Sequence, residues 1–250
     1  MLIHDPAERK KIAEARMLAL LNFLKDETWS DFSSLRRVMG FSRHTHHPVY
    51  KVLNRAIQAG YIIRHGSHDI RPGIVLWGIT MQGLSRVVRA DDPVFPGYFE
   101  PGKLRYGTLE HHLFNQRIRL ALEEKGGSNW CHGDRGTFAA QFPGIRHRPD
   151  GVITLHNGAI IAVEAERTLK TRARYINIIS SHLAAIDAGR WHYAMYVTPD
   201  EAGKTSMIRL FESIRVVIRK SVPVPFKGEN RDVFLFRTLN ELEHNTSGTR

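Results

Sequence analysis

The chain has 250 residues, of which 42% are hydrophobic and 24% charged, enough to build one large core or two smaller ones. Lysine and arginine outnumber aspartate and glutamate by 36 to 25, giving a net charge of +11. This excess makes nucleic acid the first partner to expect and an anionic membrane surface the second. No apolar run approaches the roughly 20 residues that span a bilayer, and a single cysteine excludes an internal disulfide and a thiolate zinc cluster. The polar N-terminus lacks a signal-peptide pattern, so we expect a cytoplasmic protein without membrane contact.

The first 90 residues predict a mainly helical module that ends in a hairpin. Ser30 and Asp31 are candidate caps, Pro48 suits the first turn of a helix, and Gly60 ends that helix. Apolar spacing predicts helices at 6–25, 32–39 and 42–58, strands at 61–64 and 74–79, and a helix at 81–88.

This order resembles the winged helix-turn-helix family, especially in the segment LNRAIQAGYIIR and the later LWGITMQGL. The resemblance implies that residues 1–90 bind double-stranded DNA, with the third helix in the major groove and the loop on phosphates. The side chains expected to contact DNA are polar or cationic: Arg43, His44, His46, Tyr50, Lys51, Arg55, Arg64 and Arg71. A module for dimerisation or protein contact is the alternative.

Residues 91–103 are rich in proline and glycine and predict a linker between two domains. Residues 104–242 then predict an α/β domain, and residues 243–250 a disordered polar tail. The expected elements are a helix at 108–124, strands at 137–142, 149–155 and 159–166, a helix at 168–188, a strand at 191–198, a helix at 200–220 and a strand at 233–239.

Three acids lie at the ends of two apolar strands that flank the turn His156-Asn157-Gly158. With a three-residue loop Asp150 lies opposite Glu164, whereas a two-residue turn places it opposite Ala165 and turns it away. Glu164 and Glu166 share a face in either register. Buried acids that repel one another favour a divalent cation. The alternative is a structural set neutralised by nearby arginines, namely Arg148, Arg167, Arg172 and Arg174.

The same stretch resembles the PD-(D/E)XK nuclease superfamily. Pro149-Asp150 matches the PD, and Glu164-Ala165-Glu166 stands at the (D/E)XK triplet, with Glu166 in place of the lysine. The resemblance implies a restriction-endonuclease-like mixed sheet after the winged helix. It also implies Mg²⁺ or Mn²⁺ on Asp150, Glu164 and the Ala165 carbonyl, with Glu166 acting on water and Lys170 balancing phosphate charge. In that fold Glu110 is a candidate supporting acid, and Tyr175 is expected to face the site while Tyr193 and Tyr196 serve the core.

A winged helix followed by RPDG and VEAERTLKTRARYI is similar to the replication-relaxation family of plasmid proteins, and closely to MOBC-type relaxases. The resemblance implies metal-dependent nicking or opening of DNA at a plasmid origin of transfer for conjugative mobilisation. It leaves open an accessory mobilisation or coupling protein as partner, and a homodimer. The alternatives are a non-catalytic plasmid replication or transcription regulator with a degenerate nuclease fold, and a restriction-type enzyme that cuts both strands.

Overall fold

The computed structural model describes residues 5–66, 74–92 and 94–244. It is a mixed α/β structure with a mixed sheet, as the sequence predicts at that level. The chain divides into two compact units, Met1–Gln116 and Arg117–Arg250. The division falls inside the helix Tyr106–Glu123 rather than in the 91–103 segment.

The first unit contains helices and a three-stranded antiparallel sheet. Its elements are α1 (Pro6–Glu27), β1 (Trp29–Asp31), α2 (Phe32–Val38), α3 (His47–Gln58), β2 (Ile62–Gly66), β3 (Val75–Ile79), α4 (Met81–Ser85) and the 3-10 turn Pro101–Lys103, followed by the start of α5 (Tyr106–Glu123). The strand order is β1-β3-β2. Strand β1 was not predicted, because three residues between two helices are too few to show a period of two.

Local capping explains where these helices begin. The Asp31 carboxylate accepts from the Ser34 N–H at 2.8 Å, so the predicted cap of α2 is confirmed. Helix α3 begins at His47 and not at residue 42 as predicted. The physical reason is Pro48, which has no N–H to donate inside a helix and is tolerated only in the first turn, so the helix cannot extend back to residue 42.

Part of the segment expected as a linker packs on the sheet of the first unit. The Phe99 N–H donates to the Ile79 carbonyl at 2.8 Å, and the Phe99 side chain is buried. A Cβ atom added to Gly78 would lie 2.1 Å from the Phe99 ring. Glycine at position 78 therefore makes room for this ring.

The second unit is built on a five-stranded mixed sheet of order β10-β7-β6-β5-β4. After the end of α5, its elements are β4 (Ser128–His132), α6 (Gly136–Gln141), β5 (Gly151–Thr154), β6 (Ile160–Ala165), α7 (Arg172–Asp187), β7 (Tyr193–Thr198), α8 (Glu201–Ser213), β8 (Val216–Arg219), β9 (Val222–Pro225), α9 (Glu229–Asp232), β10 (Phe234–Thr238) and α10 (Leu239–His244). Strands β4, β5 and β6 are successively antiparallel, and β6, β7 and β10 run parallel.

Two predicted elements of this unit are wrong. Residues 137–142 were expected to form a strand but belong mostly to α6. Phe138 and Phe142, four residues apart, bring their rings to 5.0 Å, which is the spacing of a helix. The helix predicted over 200–220 ends at Ser213, because the β-branched run from Val216 to Ile218 forms a strand instead.

After α8 the chain forms the antiparallel hairpin β8–β9, which reverses direction in a tight turn. Arg219 pairs with Val222, so the turn consists of Lys220 and Ser221, which both have positive φ angles, 51° and 64°. A two-residue turn with positive φ at both positions matches the right-handed twist of the strands it joins.

Helix α7 covers one face of the five-stranded sheet. Residues at helical spacing along it, Tyr175, Ile178, Ile179 and Leu183, are buried with Ala194 and Tyr196 of β7 and Phe211 of α8. A neighbouring cluster joins Ala185 to Ala162 and Val152 on β6 and β5. The face of β6 that carries Ala162 therefore lies under α7, and Glu164 shares that face because side chains alternate along a strand.

None of the helices in the described ranges has both the length and the apolar character that crossing a membrane requires.

Candidate functional site

The β5–β6 hairpin adopts the register with a three-residue loop. Thr154 pairs with Ile160 and Gly151 with Val163, and the Leu155 N–H donates to the Ala159 carbonyl at 2.8 Å. Gly158 in the loop has a φ of 82°, which favours glycine. One step beyond the last pair, Asp150 stands opposite Glu164, as one of the two predicted registers requires.

Asp150 uses its carboxylate to hold the end of this hairpin. Its Oδ2 accepts from the Ala165 N–H at 2.7 Å. The N–H of Glu166 points to β7, where it donates to Val197, so the alternating N–H of Ala165 points towards β5. Ala165 lies two residues past Val163, the last residue of β6 with a partner on β5. The side chain of Asp150 thus takes the place of a backbone acceptor.

Glu164 is buried and is held by two histidines. Its Oε1 lies 2.7 Å from Nε2 of His147 and 3.0 Å from Nε2 of His182. His147 precedes the Pro149-Asp150 pair, and His182 lies on the inner face of α7 with no exposed surface. Burial raises the pKa of Glu164, but the hydrogen bonds from both histidines outweigh it and lower that pKa from 4.5 to about 2.

Glu166 forms an ion pair with Lys170, four residues further along the chain. The Glu166 side chain is 4% exposed and that of Lys170 25%. Lys170 precedes α7, whose first turn is capped by Thr171, and its N–H donates to the Tyr175 hydroxyl at 3.3 Å. The sequence predicted that Lys170 would bring a positive charge to this site, and the structure places that charge on Glu166.

Tyr175 and Tyr196 are buried close to the carboxylates of Glu164 and Glu166. Burial, the charge of Glu166 and a hydrogen bond with that carboxylate raise the pKa of Tyr175. Burial and then the charge of Glu164 raise the pKa of Tyr196 well above its ordinary value, with smaller effects from Tyr175, Glu166 and Asp150. The Tyr196 hydroxyl has no hydrogen-bonding partner within the described part of the chain. Both phenols are therefore neutral.

Within the described residues, one set of His, Cys, Asp and Glu ligand atoms lies within 4.8 Å of one another. It consists of His147, Glu164 and His182. Of the predicted metal ligands only Glu164 belongs to it, and Asp150 and Ala165 do not. The structure thus supports a cluster that can hold a metal ion, built partly from residues that no sequence motif indicated.

Of the two residues that the sequence did not indicate, His147 and His182, only His182 carries a signal that can be recognised in the sequence. Tyr175, Ile178, Ile179 and His182 follow the i, i+3, i+4, i+7 spacing of a buried helix face. A histidine on such a face, packed against a strand with a buried acid, needs a polar partner.

Tyr196, expected in the core, is indeed fully buried, and Tyr193 is 39% exposed. Glu110 lies in the first unit, on the N-terminal part of α5.

The predicted DNA-contacting residues lie in the first unit. Those that the structure describes are exposed: Arg43, His44, His46, Tyr50, Lys51, Arg55 and Arg64. Arg71 lies outside the described residues. Val49, Leu53 and Ala56 form the buried face of α3, so its Lys51 and Arg55 side chains are on the outer surface.

Two of these residues belong to an aromatic stack. The Phe32 ring lies 5.6 Å from the His46 ring and 4.8 Å from the Tyr50 ring, and both pairs are stacked. Arg43 and His44 precede α3, and Nε of Arg43 donates to the His44 ring at 3.0 Å. The basic surface thus includes ordered aromatic side chains as well as cations.

Comparison with known proteins adds no assignment. No family model matches the chain, and neither the curated proteins nor the solved structures gave a match.

Proposed function

We propose that this chain is a DNA relaxase, a metal-dependent endonuclease that nicks or opens DNA at a plasmid origin of transfer for conjugative mobilisation. The observation that carries the proposal is the placement of Asp150, Glu164 and Glu166 around the end of one hairpin, with Lys170 paired to Glu166. Acids at the end of buried strands, beside a cation, suit hydrolysis of a phosphodiester.

The topology of the second unit supports this proposal. Helix α5, which begins in the first unit, precedes the three antiparallel strands β4, β5 and β6, and helix α7 leads to the parallel strand β7; the first of these strands is β4 and not residues 137–142 as predicted. This is the order expected for a PD-(D/E)XK nuclease, with Asp150 at the start of the second strand of that core and Glu164 near the end of the third. The short helix α6, between the first two of these strands, is an addition to that order.

The donor set that the resemblance implies fits a hard divalent cation. Asp150 and Glu164 offer carboxylate oxygens and Ala165 a backbone carbonyl, which are ligands that Mg²⁺ and Mn²⁺ accept. Such an ion, when bound, acidifies water and neutralises charge on a phosphate. In this proposal Glu166 orients or deprotonates that water. Lys170 restrains Glu166 and supplies a positive charge for the phosphate.

The first unit supports DNA recognition. Its helices α2 and α3, followed by the β2–β3 hairpin, have the order of a winged helix. The outer surface of α3 carries Lys51 and Arg55, which suit contacts with phosphates and base edges. We propose that this surface reads the origin, together with Arg64 on β2.

A non-catalytic plasmid regulator is the second candidate, and a specific observation favours it. Each of the three acids already has a partner in the protein: Asp150 the Ala165 N–H, Glu164 two histidines, and Glu166 Lys170. A cluster satisfied in this way stabilises the fold without a metal.

The deciding experiment uses a supercoiled plasmid that carries the origin of transfer. The protein is incubated with it in Mg²⁺, in Mn²⁺ and in EDTA, beside the Asp150→Asn and Asp150→Ala variants. We expect open circles with the wild type and metal only, and no cleavage by either variant, although both bind the DNA. Linear product would indicate a restriction-type enzyme. Sequence-specific binding without any metal-dependent cut would support the regulator.

A further inference from the structure

The side chains of His147, Glu164 and His182 converge from three separate parts of the second unit. His147 comes from the loop before β5, Glu164 from β6 and His182 from α7. The two histidines turn the same ring atom, Nε2, towards one oxygen, Oε1 of Glu164. The three ligand atoms lie within 4.8 Å of one another.

We propose that these three side chains bind one divalent first-row transition-metal ion. The inference uses Glu164 of the proposed nuclease site, but it rests on the two histidine contacts and does not require that DNA is cleaved.

The chemistry of the donors selects the class of ion. Two imidazole nitrogens and one carboxylate oxygen suit Zn²⁺, Mn²⁺, Fe²⁺ or Co²⁺, whereas Mg²⁺ and Ca²⁺ prefer oxygen ligands throughout. Zinc sites with two histidines and one glutamate leave a fourth position for water or substrate. The expected occupant is therefore a borderline cation, and Zn²⁺ is the best probe.

His182 is the ligand whose position the fold fixes most firmly. His182 has no exposed surface, and its second nitrogen, Nδ1, lacks a partner among the residues that the structure describes. The ring is therefore oriented by its packing and by the single polar contact with Glu164. Its Nε2 is therefore already directed at Oε1 of Glu164, and the ring does not have to be reoriented to meet an ion at that position.

The distances allow an ion after a small adjustment. Bonds of about 2.0–2.2 Å to each donor correspond to donor separations of roughly 3–3.5 Å, against 2.7 and 3.0 Å from Oε1 to the two nitrogens. The side chain of His147 is 27% exposed, so its ring has room to move away from Glu164 until the separation of Nε2 and Oε1 reaches that range. The same exposure opens the cluster to ions from solvent.

The test measures metal binding by the full-length protein without an affinity tag and without DNA. The protein is stripped with EDTA, dialysed, and titrated with Zn²⁺ in a calorimeter, with excess Mg²⁺ present. His147→Gln removes one ligand at the partly exposed position. His156→Gln is the matched control, because His156 is an exposed histidine in the β5–β6 loop of the same unit.

We expect one equivalent of Zn²⁺ to bind to the wild type and to His156→Gln. Binding to His147→Gln should weaken by at least the ~10–100-fold that the loss of a mere outer-shell partner costs. The visible absorption of the Co²⁺ complex provides a second readout, and it should change in His147→Gln only. Equal Zn²⁺ affinity in the wild type and His147→Gln would overturn the proposal, as would displacement by Mg²⁺. Because cleavage is not measured, failure of the nuclease proposal leaves this result unaffected.

Discussion

Replacing Lys170 with methionine should expose the energetic cost of the buried Glu166 charge. Breaking a buried ion pair by removing one partner costs about 3–5 kcal/mol. The cost here is smaller, because Lys170 is 25% exposed and because the Tyr175 hydroxyl still contacts Glu166. We therefore expect Lys170→Met to lower the free energy of unfolding by about 2–3 kcal/mol at pH 7.

Hydrogen–deuterium exchange of peptides from β6 and α7, measured against urea concentration, reports this free energy for the second unit. The control is Arg231→Met, which breaks a pair with the half-exposed Glu212 and should cost less than about 1 kcal/mol. The double variant Glu166→Gln, Lys170→Met should recover most of the loss. A loss below about 1 kcal/mol for Lys170→Met, or no recovery of stability in the double variant, would refute the reasoning.

Three further predictions concern acid stability, the buried tyrosines and DNA binding. The pKa of Glu164 falls from 4.5 to about 2 on folding, so its contribution of about 3 kcal/mol is present above pH 4.5 and lost as the pH falls towards 2. Urea unfolding at several pH values should show this loss, and Glu164→Gln should not. Tyr196→Phe removes a buried hydroxyl that no described residue contacts, so thermal unfolding should show no loss of stability, whereas Tyr175→Phe should cost about 1 kcal/mol; the opposite ranking would contradict the geometry. Lys51→Ala should weaken binding to all DNA sequences alike and reduce the salt slope by about 1, whereas Arg55→Ala should relax specificity; fluorescence anisotropy at several salt concentrations separates them.

The hairpin shows how far the sequence alone can predict this structure. The β-branched runs and the turn at His156-Asn157-Gly158 predicted both strands, and they limited the register to two choices. A choice between a two-residue and a three-residue turn depends on the φ angle of Gly158 and on packing, which the turn residues alone do not determine. The structure has the three-residue loop, with Thr154 opposite Ile160.

Capping residues and proline were informative where their effect is local. Asp31 caps α2 as predicted, whereas apolar spacing alone places the start of α3 too early, because it takes no account of the exclusion of Pro48 from a helix interior. Apolar spacing also predicts a helix for the residues after Ser213, although the β-branched residues from Val216 to Ile218 favour the strand that the structure shows.

The site was only partly predictable because its contacts are long-range. Glu164 and Glu166 share a face by the alternation of one strand, which the sequence reveals. The contacts of Glu164 join residues 17 and 18 positions apart, and they depend on how α7 packs over β6. No period within the loop before β5 marks His147 as a partner. The contacts of Glu164 with the two histidines can therefore be predicted only once the packing of α7 on the sheet is known.

The bond from the Ala165 N–H to Asp150 bears on how this chain can be compared with homologues. An aspartate that closes a hairpin remains under selection even in a lineage that has lost catalysis, because its loss leaves a backbone donor without its acceptor. Retention of Asp150 across homologues would therefore not diagnose an active enzyme. Loss of activity should show first at the pair of Glu166 and Lys170, because the fold needs the charge of each only as long as the other is kept. Joint replacement of that pair, with Asp150 unchanged, is the evolutionary signature expected of an inactive descendant.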